Sequence, residues 1–231
     1  MKTKISLLLV AIFLSALSCT SANSDEAAGA APNGKLFLRT VMWGGSLDIS
    51  WVYLGNDGTI IFNPKNGVNP VNIAVESANN AANTGNYKVV GKNLQITWKN
   101  GKTATWSFEK TAGEFSAIDG GLLSSPAALP NNYKLNGQYA AGAVTANLSS
   151  SSTLVFTPDG KFKESRYGAV STAETGASSA DSRAGTYNVT GNTLRLKYNS
   201  GETYIAVVGI YKISDQLTYF IINNSSYKQQ K

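Results

Sequence analysis

Residues 185–201 read Gly185-Thr186-Tyr187-Asn188-Val189-Thr190-Gly191-Asn192-Thr193-Leu194-Arg195-Leu196-Lys197-Tyr198-Asn199-Ser200-Gly201, and their turns decide the fold. Leu194, Leu196 and Tyr198 alternate with Arg195 and Lys197, the period of two of a half-buried strand. Beyond the turn, Tyr204, Ala206 and Val208 fall on one side of the next strand. A two-residue turn at Ser200-Gly201 would mix the two faces. A three-residue loop, Asn199-Ser200-Gly201, sets Leu196 against Tyr204 and Tyr198 against Glu202, keeps one face apolar, and wants glycine third in the left-handed conformation. Upstream, Gly191-Asn192 is a two-residue turn that pairs Val189 with Leu194.

The same stretch occurs earlier. Gly85, Tyr87, Gly91, Leu94 and Gly101 stand 100 positions before Gly185, Tyr187, Gly191, Leu194 and Gly201. There the loop Lys99-Asn100-Gly101 sets Ile96 against Ala104 and Leu94 against Trp106. Asn56-Asp57-Gly58 and Pro158-Asp159-Gly160 form a second matched pair of turns. They bring Leu54 opposite Ile60, Val52 opposite Phe62, and Phe156 opposite Phe162. A period near one hundred residues is a repeat of domains, since solenoid units run about 20 to 50. The expected architecture is all-β: two tandem antiparallel meander barrels of six to eight strands each, at 34–123 and 133–231, joined by a linker at 124–132. Two closed barrels and one larger sheet shared by both copies are both compatible with the turns. Helix is expected at most as a short piece within 71–83, and closure removes the edges that open sheets expose.

The second half runs Leu135-Asn136-Gly137-Gln138-Tyr139, then Phe156-Thr157-Pro158-Asp159-Gly160, then Gly185-Thr186-Tyr187-Asn188-Val189-Thr190-Gly191-Asn192-Thr193-Leu194. It resembles the bacterial lipocalin-like domains, which carry an L-x-G-x-W/Y start, an F-x-x-D-G hairpin and a G-x-Y-x-V-x-G-x-x-L hairpin. The first copy matches less well, with Gly34-Lys35-Leu36-Phe37 in place of the opening motif. The resemblance implies a barrel, with or without a pocket, on a secreted or lipid-anchored protein, and it carries no catalytic residues.

Composition narrows the chemistry. The 231 residues include no histidine and one cysteine, with Lys+Arg 20 against Asp+Glu 14. Ser-His-Asp and Cys-His arrangements are excluded, as are an intrachain disulfide and a thiolate cluster. Residues 1–18 hold Lys2 and Lys4 before the apolar run Ile5 to Leu14, which is the layout of a signal peptide. Cys19 follows in Ser15-Ala16-Leu17-Ser18-Cys19. This looks like the lipobox of bacterial lipoproteins, and implies an acylated Cys19, a tether over 19–33 and attachment to the outer membrane. Cleavage after Ala22 would instead release a secreted or periplasmic chain. Removing Lys2 and Lys4 lowers the formal charge from +6 to +4. The remaining positive residues form no run, so nucleic acid is not an expected partner.

The candidate sites are few. Asp57 and Asp159 are explained by turns, and Glu109, Glu114 and Glu202 by solvated strand ends. Trp98 and Trp106 fall on an inward face. Trp43, beside Gly44-Gly45, is the tryptophan least accounted for by periodicity and a candidate ligand contact. The segments Asn63–Thr84 and Ser165–Ala184 are expected to be long loops, the second a flap or disordered. Arg166 and Tyr167 are its candidate ligand contacts, with Arg183 beside them. The expectation is a non-catalytic envelope protein, without cofactor or metal, binding a small apolar or glycan ligand in a barrel. The alternatives are a surface module that engages an envelope protein, and a histidine-free enzyme.

Overall fold

The computed structural model describes residues 33–44, 46–144, 148–171, 176–214 and 217–230. The proposed signal peptide, Cys19 and nearly all of the tether lie outside the described residues. The first unit consists of β1 (Gly34–Trp43), β2 (Ser46–Gly55), β3 (Thr59–Phe62), α1 (Ile73–Asn79), β4 (Thr84–Val90), β5 (Asn93–Trp98), β6 (Thr103–Thr111), β7 (Glu114–Ile118) and β8 (Gly121–Ser124). The second consists of β9 (Gly137–Val144), β10 (Leu148–Phe156), β11 (Lys161–Ser171), β12 (Gly176–Thr190), β13 (Thr193–Tyr198), β14 (Thr203–Ser214), β15 (Leu217–Ile222) and β16 (Ser225–Gln230). Each unit is an antiparallel meander in chain order, closed by β1 on β8 and by β16 on β9. The chain therefore forms two closed eight-stranded barrels in tandem, not one shared sheet.

The turns hold the register the sequence demands. Leu196 faces Tyr204, Ile96 faces Ala104, Leu54 faces Ile60, Phe156 faces Phe162 and Val189 faces Leu194. Gly101 and Gly201 stand at φ 84° and 95°, where a β-carbon would strain the backbone. The two copies also share their bonds. The Tyr87 hydroxyl donates to the Gly55 carbonyl at 3.3 Å and the Tyr187 hydroxyl to the Thr157 carbonyl at 3.1 Å. Each sixth strand carries a register shift, after Glu109 in β6 and after Lys212 in β14.

Both barrels are filled with rings. In the first, Trp106 lies edge-on to Phe62 and Trp98 with centroids 5.5 and 5.6 Å away, so Trp98 and Trp106 are core residues as their parity requires. Arg39 is buried there, and donates to the Ile118 and Asp119 carbonyls at 2.9 and 2.6 Å. In the second, Phe156 touches Tyr139, Phe162, Tyr187 and Phe220 at centroid distances of 5.0–6.3 Å. One end of this barrel is closed by the connecting segment, whose Leu129, Tyr133 and Leu135 pack on its core. The effect is visible at a repeat-related pair: Val189 is 0% exposed and Val89 is 52% exposed.

A third apolar cluster joins the barrels. Ile49, Trp51 and Tyr53 of β2 and Ile61 of β3 pack with Val207 of β14 and Ile221 of β15. These are the outward-facing neighbours of core residues, as in the pairs Ile60-Ile61, Val207-Val208 and Ile221-Ile222. Polar bonds fix the contact. The Trp51 indole donates to the Asn223 carbonyl at 2.7 Å. The Val68 and Asn69 amides donate to the Thr193 hydroxyl at 2.8 and 3.0 Å, and the Asn192 amide donates to the Asn69 side chain at 2.8 Å.

The first long segment holds the short helix expected within 71–83, while the second differs from expectation. Within Asn63–Thr84 lies α1, capped by the Asn72 side chain, which accepts from the Val75 amide. Glu76, fully buried, accepts from the Lys65 and Asn66 amides and from the Asn66 and Asn80 side chains. The described parts of the second segment, 165–171 and 176–184, are strand and not loop or flap, because β11 and β12 pair from Lys161↔Thr186 to Ser171↔Gly176. Its Ser, Ala and Gly content hid the strands. A ribbon that rises beyond the barrel core pairs through its backbone and needs no apolar alternation.

Candidate functional site

The inward parity of β11, begun by Phe162, continues to Glu164 and Arg166. Glu164 is buried among rings, and a charge in such a place requires partners. It has three. Arg166 donates at 2.6 Å, Arg183 of β12 at 3.1 Å, and the Tyr198 hydroxyl of β13 at 2.8 Å. The Arg183 guanidinium also lies 4.5 Å from the centre of the Tyr198 ring and 3.3 Å from Asp181. Burial, followed by the Glu164 carboxylate, pushes the Tyr198 phenol well above its ordinary pKa. Tyr198 is thus a donor locked to Glu164 across physiological pH. The cluster forms a polar floor above the aromatic packing of the second barrel.

Beyond that floor the barrel wall parts. β16 pairs with β9 from Gln230↔Gln138 to Lys228↔Ala140 and no further. A cleft of about 620 Å³ opens there. Ala141, Ser152, Arg166 and Tyr227 line it from the second barrel, and Leu47 and Ile49 of β2 from the first. Tyr167 and Asn224 with the flanking serines complete the lining. The Arg166 side chain is 54% exposed, with one side held by Glu164 and the other open to the cleft. The Tyr227 hydroxyl lies 3.4 Å from the Ser152 hydroxyl.

Two of the three ligand contacts expected from sequence therefore share this cleft. Trp43 is not in its lining. It ends β1 at 73% exposure, paired with Ser46, on the hairpin whose other strand supplies Leu47 and Ile49. Sequence reasoning passed over Glu164, Tyr198 and Tyr227, although parity from Phe162 was a sufficient signal for the first. Leu47 and Ile49 carried no signal, because the packing of one barrel on the other brings them to the site.

Asp57 and Asp159 sit in turns, where each accepts from an amide two residues on. Hydrogen bonds from Lys161 and Thr157 lower the Asp159 pKa to about 2. The described residues contain no group of three or more acidic or cysteine side chains placed to hold a metal. Comparisons with protein-family models, with curated proteins and with solved structures found no match to this chain.

Proposed function

We propose that the protein is a non-catalytic binding protein of the cell envelope, held there through an acylated Cys19. We propose further that its ligand lies in the cleft between the two barrels and not in a central calyx. The observation that carries this reading is the cleft itself. It has a half-exposed guanidinium, two tyrosines and a row of serines on one wall, beside aliphatic side chains from the other barrel. Ligand sites of this kind combine apolar area with a few fixed polar groups. The lining favours a polar ligand that can exchange hydrogen bonds with Ser, Tyr and Arg, such as a glycan or an amide-bearing chain. A purely apolar ligand would leave those groups unpaired at a cost. The barrel cores are occupied by their own rings, as is common for eight strands.

The test is native mass spectrometry of the mature chain purified from its own host, beside Tyr167→Ala. Tyr167 is 47% exposed, so its loss should leave the fold intact. The expected result is an excess mass on the wild type that is lost in the variant. An adduct retained by Tyr167→Ala places the ligand elsewhere and overturns the reading.

A further inference from the structure

The cleft is bounded by strand edges that, among the described residues, have no strand beside them. Trp51 of β2 donates its amide to the Asn63 side chain at 2.8 Å, and its carbonyl accepts from the Asn63 amide at 2.8 Å. Both backbone groups of a strand residue point to the same edge, and the direction alternates along the strand. Ile49 and Leu47 therefore aim their amides and carbonyls at the same edge as Trp51. β3 reaches only Val52↔Phe62, so among the described residues no strand covers this edge above Trp51. Across the cleft, β9 above Ala140 and β16 above Lys228 pair, among the described residues, only with β10 and β15 respectively. Leu47, Ile49, Ala141, Gly142 and Ser226 all line the space between.

We infer that the cleft takes an extended peptide segment, which adds as a strand to the edge of β2 at Leu47 and Ile49. This deepens the reading of the cleft as the ligand site and rests on it. Free edges are templates for pairing, and strand addition draws affinity from the main chain and specificity from alternate side chains. Side chains of the bound segment on one parity would meet Arg166 and Tyr227. A glycan has no regular row of amides with which to satisfy Leu47 and Ile49, and for that reason the edge favours a peptide.

The experiment selects linear ten-residue peptides from a displayed library on the full mature chain, then follows amide hydrogen exchange with the best binder. Exchange at Leu47 and Ile49 should slow at least ~10-fold, while Ser46 and Asp48, which face β1, stay unchanged. N-methylation of the bound peptide should abolish binding at every second position. Leu47→Pro removes one edge donor and should weaken binding. Because that variant can also disturb the hairpin, exchange in the wild type is decisive. Binders that leave Leu47 and Ile49 unprotected overturn the inference, and so does a library that yields none. If the co-purifying adduct lost in Tyr167→Ala proves not to be a peptide, the edge inference falls and the cleft remains the ligand site. An adduct insensitive to Tyr167→Ala removes both.

Discussion

Replacing Glu164 by glutamine tests whether the charged floor of the second barrel supports the fold. The substitution keeps the size and one acceptor oxygen but removes the charge that three donors share. Hydrogen bonds to a charged group contribute about 1.5–3 kcal/mol, and neutral ones about 0.5–1.5. Each of the three contacts thus loses on the order of 1 kcal/mol. The Arg166 side chain is half in solvent, where an ion pair is screened and contributes at most about 1 kcal/mol. Its share is correspondingly small. The more enclosed Arg183 and Tyr198 contacts dominate, and the expected loss is about 2–3 kcal/mol in denaturant unfolding at neutral pH.

A second readout is specific to the charge. The carboxylate raises the Tyr198 phenol pKa, so Glu164→Gln should bring its ionisation midpoint down in an alkaline absorbance titration. The midpoint should still stay above that of a free phenol, because burial is the larger cause. In the wild type the raised phenol contributes stability that is fully present below the unfolded tyrosine value near pH ~10 and is lost as pH rises above it. Stability unchanged within about 0.5 kcal/mol, together with an unmoved phenol, would show that the carboxylate does not hold the floor together. It would mean that the two guanidinium groups find water once the carboxylate is gone.

Two further outcomes follow from the shared architecture. Gly85→Ala and Gly185→Ala should each destabilise by at least about 2 kcal/mol, since the new β-carbon would meet the Thr97 or Lys197 carbonyl oxygen of the neighbouring strand; wild-type melting temperatures would contradict this. Thr193→Val removes the oxygen that accepts from the Val68 and Asn69 amides at the barrel contact. It should cost about 2–4 kcal/mol and separate one calorimetric transition into two, whereas a single unshifted transition would show that the barrels are coupled by the apolar cluster alone.

Much of the fold was legible because turn chemistry and side-chain parity are local. Asn199-Ser200-Gly201 and Lys99-Asn100-Gly101 set strand register through loop length and one left-handed residue, and that information lies within the hairpin itself. The same parity placed Trp98 and Trp106 in the core and, followed upward from Phe162, would have placed Glu164 and Arg166 inside. The β11–β12 ribbon escaped because its Ser, Ala and Gly residues have no buried face to betray a period. Trp43 stood out as an unexplained aromatic, yet exposure on a projecting hairpin does not bring it into the cleft.

A duplicated meander, its inward faces and the chemistry it lacks were legible along the chain, since each depends on short stretches of residues. Alternation assigned one inward face to each strand, yet Ile61 and Val207, beside Ile60 and Val208, are buried on the outer face as well. Packing in three dimensions supplied the partner of that outer face, which is the other barrel. It also decided closure into two barrels, the parting of β9 from β16, and the arrival of Leu47 and Ile49 beside Arg166. Those features join residues about 80 positions or more apart, and no local period or turn signal spans that distance.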